Sequence, residues 1–324
     1  MSALEAESWA RAPRVSVVVA TRDRCARLAV LLSALEAQDL PGEHFEVVVI
    51  DDGSRDATPE LLRSHPHVRT LRHARAGGPA RARNAGWRLA RAPLVAFTDD
   101  DCRPEPGWLR AGLTAHASAP GAVVQGATRP EPAGEELLRR PLARSVRVQR
   151  LGPFFQTCNV FYPRALLERV AGFDESIPTA AAEDTDLALR AFELGAGAVW
   201  APGALVNHDV VELPLARAVR GAWRWRTMVP LVRRHPRLRA AFPWHGRVWR
   251  ESHARLALAL AGTALARRHP AFAAWWLPYL ALGHGWGPRA LARSATELPQ
   301  RLPVDLAELA VLGLSSARHR RLLL

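Results

Sequence analysis

Residues 93–102 read "PLVAFTDDDC". The apolar half is a short continuous run of the kind that forms a strand buried on both faces. Asp99, Asp100 and Asp101 then stand together at its carboxyl end. Three adjacent carboxylates repel one another, so the cluster needs a positive partner. That partner is either an arginine with solvent, or a metal ion carrying a phosphorylated substrate.

Working outward, "VSVVVA" (15–20) and "FEVVVI" (45–50) are runs of the same type, and "VRTLRH" (68–73) is a weaker one. Between them Leu28, Leu31, Leu32 and Leu35 recur at helical spacing, Thr58–Pro59 opens a helix running to about Leu62, and "GGPARARNAGWRLA" (77–90) reads as a glycine turn and a helix with Pro79 in its first turn. Alternating strands and helices predict a parallel α/β sheet. Such sheets bind ligands outside the carboxyl ends of their strands. "TRD" (21–23), "DDGS" (51–54) and "TDDD" (98–101) all fall there and should converge on one crevice.

Further along, "RPEPAGEELLRRP" (129–141) reads as a loop. "QTCNVFYPRALLERVAGFDE" (156–175) gives a strand and a helix that Pro163 opens and that closes near Gly172. "AAAEDTDLALRAFELG" (180–195) is a helix with Leu187, Ala188, Ala191 and Phe192 inward, Gly195 as its stop, and Glu183 and Asp184 at its N-terminus. "AVWAPGALVNHDV" (198–210) continues as a strand and loop through His208.

The charge is unevenly placed. The net charge is +13, every basic residue is arginine, and residues 213–324 hold 19 arginines against four acidic residues, together with seven of the eleven tryptophans. The chain divides into an extension (1–13), an α/β domain (14–212) and a basic helical region (213–324). On a helix from Leu215, Arg217, Arg220 and Arg224 form one stripe, with Leu215, Val219, Ala222 and Trp223 opposite. "LALALAGTALA" and "AFAAWWLPYLALG" are apolar but shorter than the roughly 20 residues that span a bilayer. Three widely spaced cysteines and a start without a signal-length apolar run point to a reduced, cytoplasmic setting and away from a disulfide framework or zinc site.

Each polar cluster has two readings. "DDGS" is either an acceptor for a base and ribose or a turn. In "TDDD" the alternate residues Asp99 and Asp101 can both reach a hard cation such as Mg²⁺ or Mn²⁺. Asp184 is either a general base or a helix cap, and His208 taken alone is more often structural.

In order, "VSVVVATRDR", "VVVIDDGS", "GGPARARNAG", "LVAFTDDDC", "GFDE", "AAAEDTDLALRAFELG" and "NHD" resemble the family-2 glycosyltransferases, inverting enzymes of the GT-A fold, over about residues 14–210. The resemblance implies a Rossmann-like sheet with flanking helices and a nucleotide-sugar donor. It implies that Ala20, Thr21, Asp23, Asp51 and Asp52 line the nucleotide pocket, Asp52 meeting the base. Asp99, Asp100 and Arg83 would lie along the donor diphosphate, and Asp99, Asp101 and His208 would hold Mg²⁺ or Mn²⁺. Asp184 matches the family's catalytic base, with Glu183 and Asn159 on the acceptor side. Two departures stand out: Arg22 replaces a frequent aromatic, and Ala182 replaces the usual glycine before "ED".

The basic, tryptophan-rich region suits an anionic membrane surface presenting a glycan or polyprenyl-linked acceptor, in keeping with the assembly of cell-envelope polysaccharide. A sugar nucleotidylyltransferase is disfavoured because those enzymes use a lysine and a glycine-rich loop. A nucleic-acid-binding protein would explain the charge but not the acidic strand ends, which would repel phosphates, so no nucleic-acid partner is expected.

Overall fold

The run at Val15–Val19 is fully buried, and its alternation decides which layer each side chain enters. In this computed structural model, which describes residues 12–177, 179–282 and 285–323, strand β1 (Val15–Thr21) lies inside an eight-stranded sheet. Val15, Val17 and Val19 pack on one face against Leu28, Leu31, Leu32 and Leu35 of α1 (Cys25–Glu36). Val18 packs on the other face, with Ala82 and Trp87 of α3 (Pro79–Leu89). A Cβ on Gly86 of α3 would lie 2.4 Å from Val18 Cγ1, so that glycine sets how closely the helix sits on the strand.

The remaining strands are β2 (Phe45–Asp51), β3 (Arg69–Arg72), β4 (Leu94–Asp99), β5 (Cys102–Pro104), β6 (Val123–Pro130), β8 (Asn159–Pro163) and β9 (Ala198–His208), with order β3-β2-β1-β4-β8-β6-β9-β5. The first four are parallel. Beyond β4 the sheet is mixed: β8 runs antiparallel to both β4 and β6, β6 and β9 are parallel, and β5 returns antiparallel to β9. Helices α2 (Thr58–Arg63), α4 (Trp108–Ser118), α5 (Arg164–Arg169) and α6 (Glu183–Glu193) complete the layers. The sheet and its flanking helices form the layered α/β architecture that the sequence suggests.

Register brings the polar ends level. Ala20 pairs with Asp99, Thr21 with Asp51, and Cys102 with His208. The last pairing carries His208 to the aspartate cluster from far along the chain.

The chain separates into two compact units. One runs to Glu136 and resumes over Ser145–Val210; the other comprises Leu137–Arg144 and the chain from Val211 onward. The second unit opens with a short ladder between β7 (Ala143–Arg144) and β10 (Val211–Glu212), then α7 (Leu215–Gly221), α8 (Met228–Arg234), α9 (Glu251–Leu265) and the long α10 (Pro288–His319). The helix expected from Leu215 keeps only part of the face the sequence suggests: Ala222 is buried and Val219 packs partly buried beside Ala218. It ends at Gly221 and tightens into 3₁₀ turns over Ala222–Thr227; Ala218 and Ala222 are buried, whereas Leu215 and Trp223 are exposed. Small alanines permit close helix approach, and the larger groups are left outside. The interior of this unit is partly polar. Glu308 accepts hydrogen bonds from Trp225 Nε1 and Arg250 and lies 3.1 Å from His253 Nε2, while Tyr279 donates to Asp305. Among the described residues no helix is long and apolar enough to cross a membrane.

Candidate active site

Two strand-end loops are tied to each other first. Asp23, whose φ is +53°, donates its amide to Ser54 Oγ at 2.9 Å and accepts from the Arg55 amide at 2.7 Å. Asp51 Oδ1 accepts from the Ser54 amide at 2.8 Å, and its other oxygen lies 3.3 Å from Arg72 Nε. Asp52 is fully engaged within the protein: His73 Nδ1 and the amides of Gly77 and Gly78 surround its carboxylate. Burial alone would raise its pKa, but these donors outweigh burial and hold it below the usual range. In this state Asp52 shapes the glycine turn rather than offering a free oxygen to a base.

The aspartate cluster divides among different partners. Thr21 Oγ1 donates to Asp100 Oδ2 at 2.8 Å, and Arg24 Nη1 donates to Asp100 Oδ1 at 2.9 Å and to Asp101 Oδ2 at 2.6 Å. Asp100 is buried, and desolvation pushes its pKa up to about 6 despite Arg24. Asp99 turns instead to Arg83, which donates to it at 2.7 Å and to Glu183 at 2.9 Å. Arg83 and Glu183 are therefore a buried pair, which places neither of them free in the crevice. Asn159 is likewise fully buried. Its side chain accepts from Trp108 Nε1 and donates to the carbonyls of Ala127 and Ala204, so it is a packing residue rather than one facing an acceptor.

Asp184 is different. It sits in the first turn of α6, only part-buried, with one oxygen accepting from the Thr185 amide at 2.7 Å. Burial first, and the neighbouring Glu183 second, push its pKa up to about 8. Glu183 is raised as well, chiefly by burial, with Arg83 opposing. An acid poised near neutrality at a helix start beside the strand ends is suited to accept a proton.

Asp101 and His208 offer an oxygen and a nitrogen that suit a divalent ion such as Mn²⁺, whereas the thiol of Cys102 beside them, its pKa raised by burial, is too soft a ligand for a hard ion. Ligand atoms of Asp101, Cys102 and His208 lie within 4.8 Å of one another. His208 Nδ1 is 2.9 Å from the Asp209 carbonyl and 3.4 Å from Ser145 Oγ. Its Nε2 faces Asp101 Oδ1 at 3.5 Å. An imidazole nitrogen and a carboxylate oxygen at this distance suit a shared proton or, with the two groups spread around it, a bound cation. Asp99 lies outside this group, drawn away by Arg83. Sequence reasoning did not single out Arg24, Arg27, His73 or Asp209; the first two lie in and just after the quoted "TRDR", and Asp209 lies in "NHD".

The mixed sheet and the acidic strand ends define a GT-A-type domain. Two solved structures share its fold: a mannosyltransferase from Pyrobaculum calidifontis in complex with GDP-Man and Mn²⁺ (TM-score 0.56, 23% identity, covering 92% of this chain and 93% of that one), and Staphylococcus aureus TarS 1–349 in complex with UDP-GlcNAc (TM-score 0.52, 18% identity, 95% and 92%). Residues 16–171 match the family model "Glycosyl transferase family 2", and residues 141–286 match "Glycosyl transferase family group 2". The chain belongs to the family-2 glycosyltransferases. It is similar to a validoxylamine A glucosyltransferase of Streptomyces hygroscopicus subsp. jinggangensis (34% identity, covering 55% of this chain and 51% of that protein). It is also similar to a pre-mycofactocin glycosyltransferase of Mycobacterium tuberculosis (32% identity, 68% and 48%). The chain spans about half the length of these curated relatives.

Proposed function

We propose that the first unit catalyses transfer of a hexosyl or deoxyhexosyl group from a nucleoside-diphosphate donor to an acceptor hydroxyl, with inversion. The observation that carries this reading is Asp184: a part-exposed carboxyl with a pKa near 8, joined through Glu183 and Arg83 to Asp99 at the strand ends. The donors in the two similar structures, GDP-Man and UDP-GlcNAc, support a nucleotide sugar as the substrate class.

Asp184 takes the proton from the acceptor hydroxyl as its oxygen bonds to the anomeric carbon, and the bond to the diphosphate breaks on the opposite face. A single displacement of this kind inverts the configuration and needs no protein nucleophile. Arg83 and Glu183 hold the start of α6 in place. The loops tied through Asp23 and Ser54 hold the nucleotide side of the crevice. Asp101 and His208 would hold Mg²⁺ or Mn²⁺, which when bound neutralises charge on the leaving diphosphate. Asp99, fixed by Arg83, is left for the donor.

A thermal-shift series with UDP, GDP and dTDP, each with and without Mn²⁺, tests the reading on wild type and Asp101→Ala. Stabilisation that needs both nucleotide and metal, and that disappears in the variant, is the expected result. If no nucleotide shifts the wild-type transition, the donor assignment fails.

The second unit is proposed to meet an anionic membrane surface from the cytoplasmic side, where a polyprenyl-linked glycan would be the acceptor. Trp223, Trp244, Trp286 and Leu314 are exposed on this unit, among its excess of arginines. Aromatic and basic groups together suit a lipid interface. Co-sedimentation with anionic but not neutral vesicles, weakened by salt, is expected; equal recovery with both would reject it.

A further inference from the structure

The cation against Asp100 and Asp101 is an arginine from the loop before α1. Arg24 Nη1 bridges the two carboxylates at 2.9 and 2.6 Å. Arg27 Nη1 lies 3.7 Å from the same Asp101 oxygen, and its Nε lies 3.1 Å from Asp209. The members of this cluster differ in freedom. The Asp100 side chain is 6% exposed and is pinned on its second oxygen by Thr21, whereas Arg24 is 40% exposed. Asp100 is the anchor, and Arg24 has room to change partner.

We propose that Arg24 is an internal counter-cation of the metal–diphosphate site. It neutralises Asp101 in the absence of donor, and it releases that carboxylate to a divalent ion when a nucleoside diphosphate offers its oxygens to the guanidinium instead. The inference rests on the donor and metal reading given above. A dication held by Asp101 would share its carboxylate with a guanidinium 2.6 Å from one of the oxygens, and Arg27 adds to the repulsion. A diphosphate removes the conflict. It supplies negative charge to the ion, and its paired oxygens suit the planar fork of arginine better than a shared single nitrogen does. Metal and nucleotide therefore bind more tightly together than apart, and the coupling is reciprocal.

The test measures Mn²⁺ uptake by the loss of its free electron-paramagnetic-resonance signal. It uses the full chain as wild type, Arg24→Met and Arg24→Lys, each alone and with saturating UDP or GDP. Methionine keeps much of the stem without the charge, and circular dichroism checks that the variants fold. Wild type is expected to take up Mn²⁺ weakly alone and tightly with the matching nucleotide. Arg24→Met should bind Mn²⁺ alone about tenfold more tightly than wild type, the scale of one charge-assisted hydrogen bond, and should lose a similar factor of metal–nucleotide coupling. Arg24→Lys, which keeps the charge, should stay near wild type. Unchanged Mn²⁺ affinity and unchanged coupling in Arg24→Met would overturn the proposal. So would weakened nucleotide binding without a gain in metal affinity, which would make Arg24 a phosphate ligand only. If wild type takes up no Mn²⁺ with either nucleotide and Asp101→Asn behaves identically, the metal reading of the site itself falls, and the role of Arg24 falls with it.

Discussion

Arg83 donates to Asp99 at 2.7 Å and to Glu183 at 2.9 Å, so one buried guanidinium joins the end of β4 to the start of α6. Those two ends carry the donor-side and base-side carboxylates of the proposed reaction. Arg83→Met would leave Glu183 buried and uncompensated. Removing one partner of such a pair typically costs about 3–5 kcal/mol. Urea denaturation should show that loss, and the double variant Arg83→Met/Glu183→Leu should recover part of it because no unpaired charge remains. A single variant as stable as wild type would show the pair to be unimportant to the fold.

Asp184→Asn separates function from stability. Loss of a general base is expected to lower kcat by about 10²–10⁴-fold. In wild type, kcat/KM should rise with pH and level off above about 8, because only the ionised carboxylate accepts the proton. The stability effect has the opposite sense. A carboxyl whose folded pKa lies above its unfolded value favours the protonated folded state, so its contribution declines as pH rises from about 4 through about 8. Asparagine does not titrate. The melting temperature of Asp184→Asn relative to wild type should therefore increase between pH 4 and pH 8, and a difference independent of pH would contradict the assignment.

Ala182 immediately precedes this helix and has φ +84° and ψ −20°. That is left-handed backbone, which a Cβ disfavours by about 1–2 kcal/mol and glycine adopts freely. Ala182→Gly should stabilise the protein by about 1 kcal/mol, read as a shift in the urea midpoint at constant slope. A destabilised variant would mean that the methyl group's packing outweighs the backbone strain.

How much of this was visible beforehand depends on the range of the interaction concerned. The strands at Val15, Phe45 and Leu94 were legible because local runs of β-branched and apolar residues have few alternatives inside a sheet. The alignment of Thr21, Asp51 and Asp99 followed from that alternation. Partner choice among charged side chains was not legible. Nothing near Asp52 in sequence announces that Gly77 and Gly78 fill its carboxylate, nor that Asn159 is consumed by Trp108 and two carbonyls. Arg22 and Arg24 stand two residues apart in one motif, and only the fold directs Arg24 to Asp100 and Asp101. In the second unit, apolar spacing at Leu215 and Trp223 suggested a buried face. Ala222 and in part Val219 do turn inward, but Ala218 takes the fully buried place and the larger Leu215 and Trp223 stay exposed.

Glu46 tests the opposite end of the sheet, away from the proposed chemistry. Its carboxylate accepts from Ser16 Oγ at 2.7 Å, from the Arg91 amide at 2.6 Å, and from Arg69 and Arg91 side chains at 3.0 and 2.9 Å. It thereby fastens β2 to its neighbour β1, where Ser16 pairs with Glu46, and to the turn before β4. Burial would raise its pKa, but these donors together lower it. A depressed carboxylate contributes stability that is present above its unfolded pKa and is lost as pH falls through the folded value. Glu46→Gln keeps the shape but removes the charge and one acceptor, and should cost about 2 kcal/mol at pH 7. The gap from wild type should narrow as pH falls below about 4. Nucleotide-dependent thermal shifts, which report on the far end of the same strands, should remain at their wild-type size; if they shrink with the loss of Glu46, the two ends of the sheet are energetically coupled and the clamp is not purely structural.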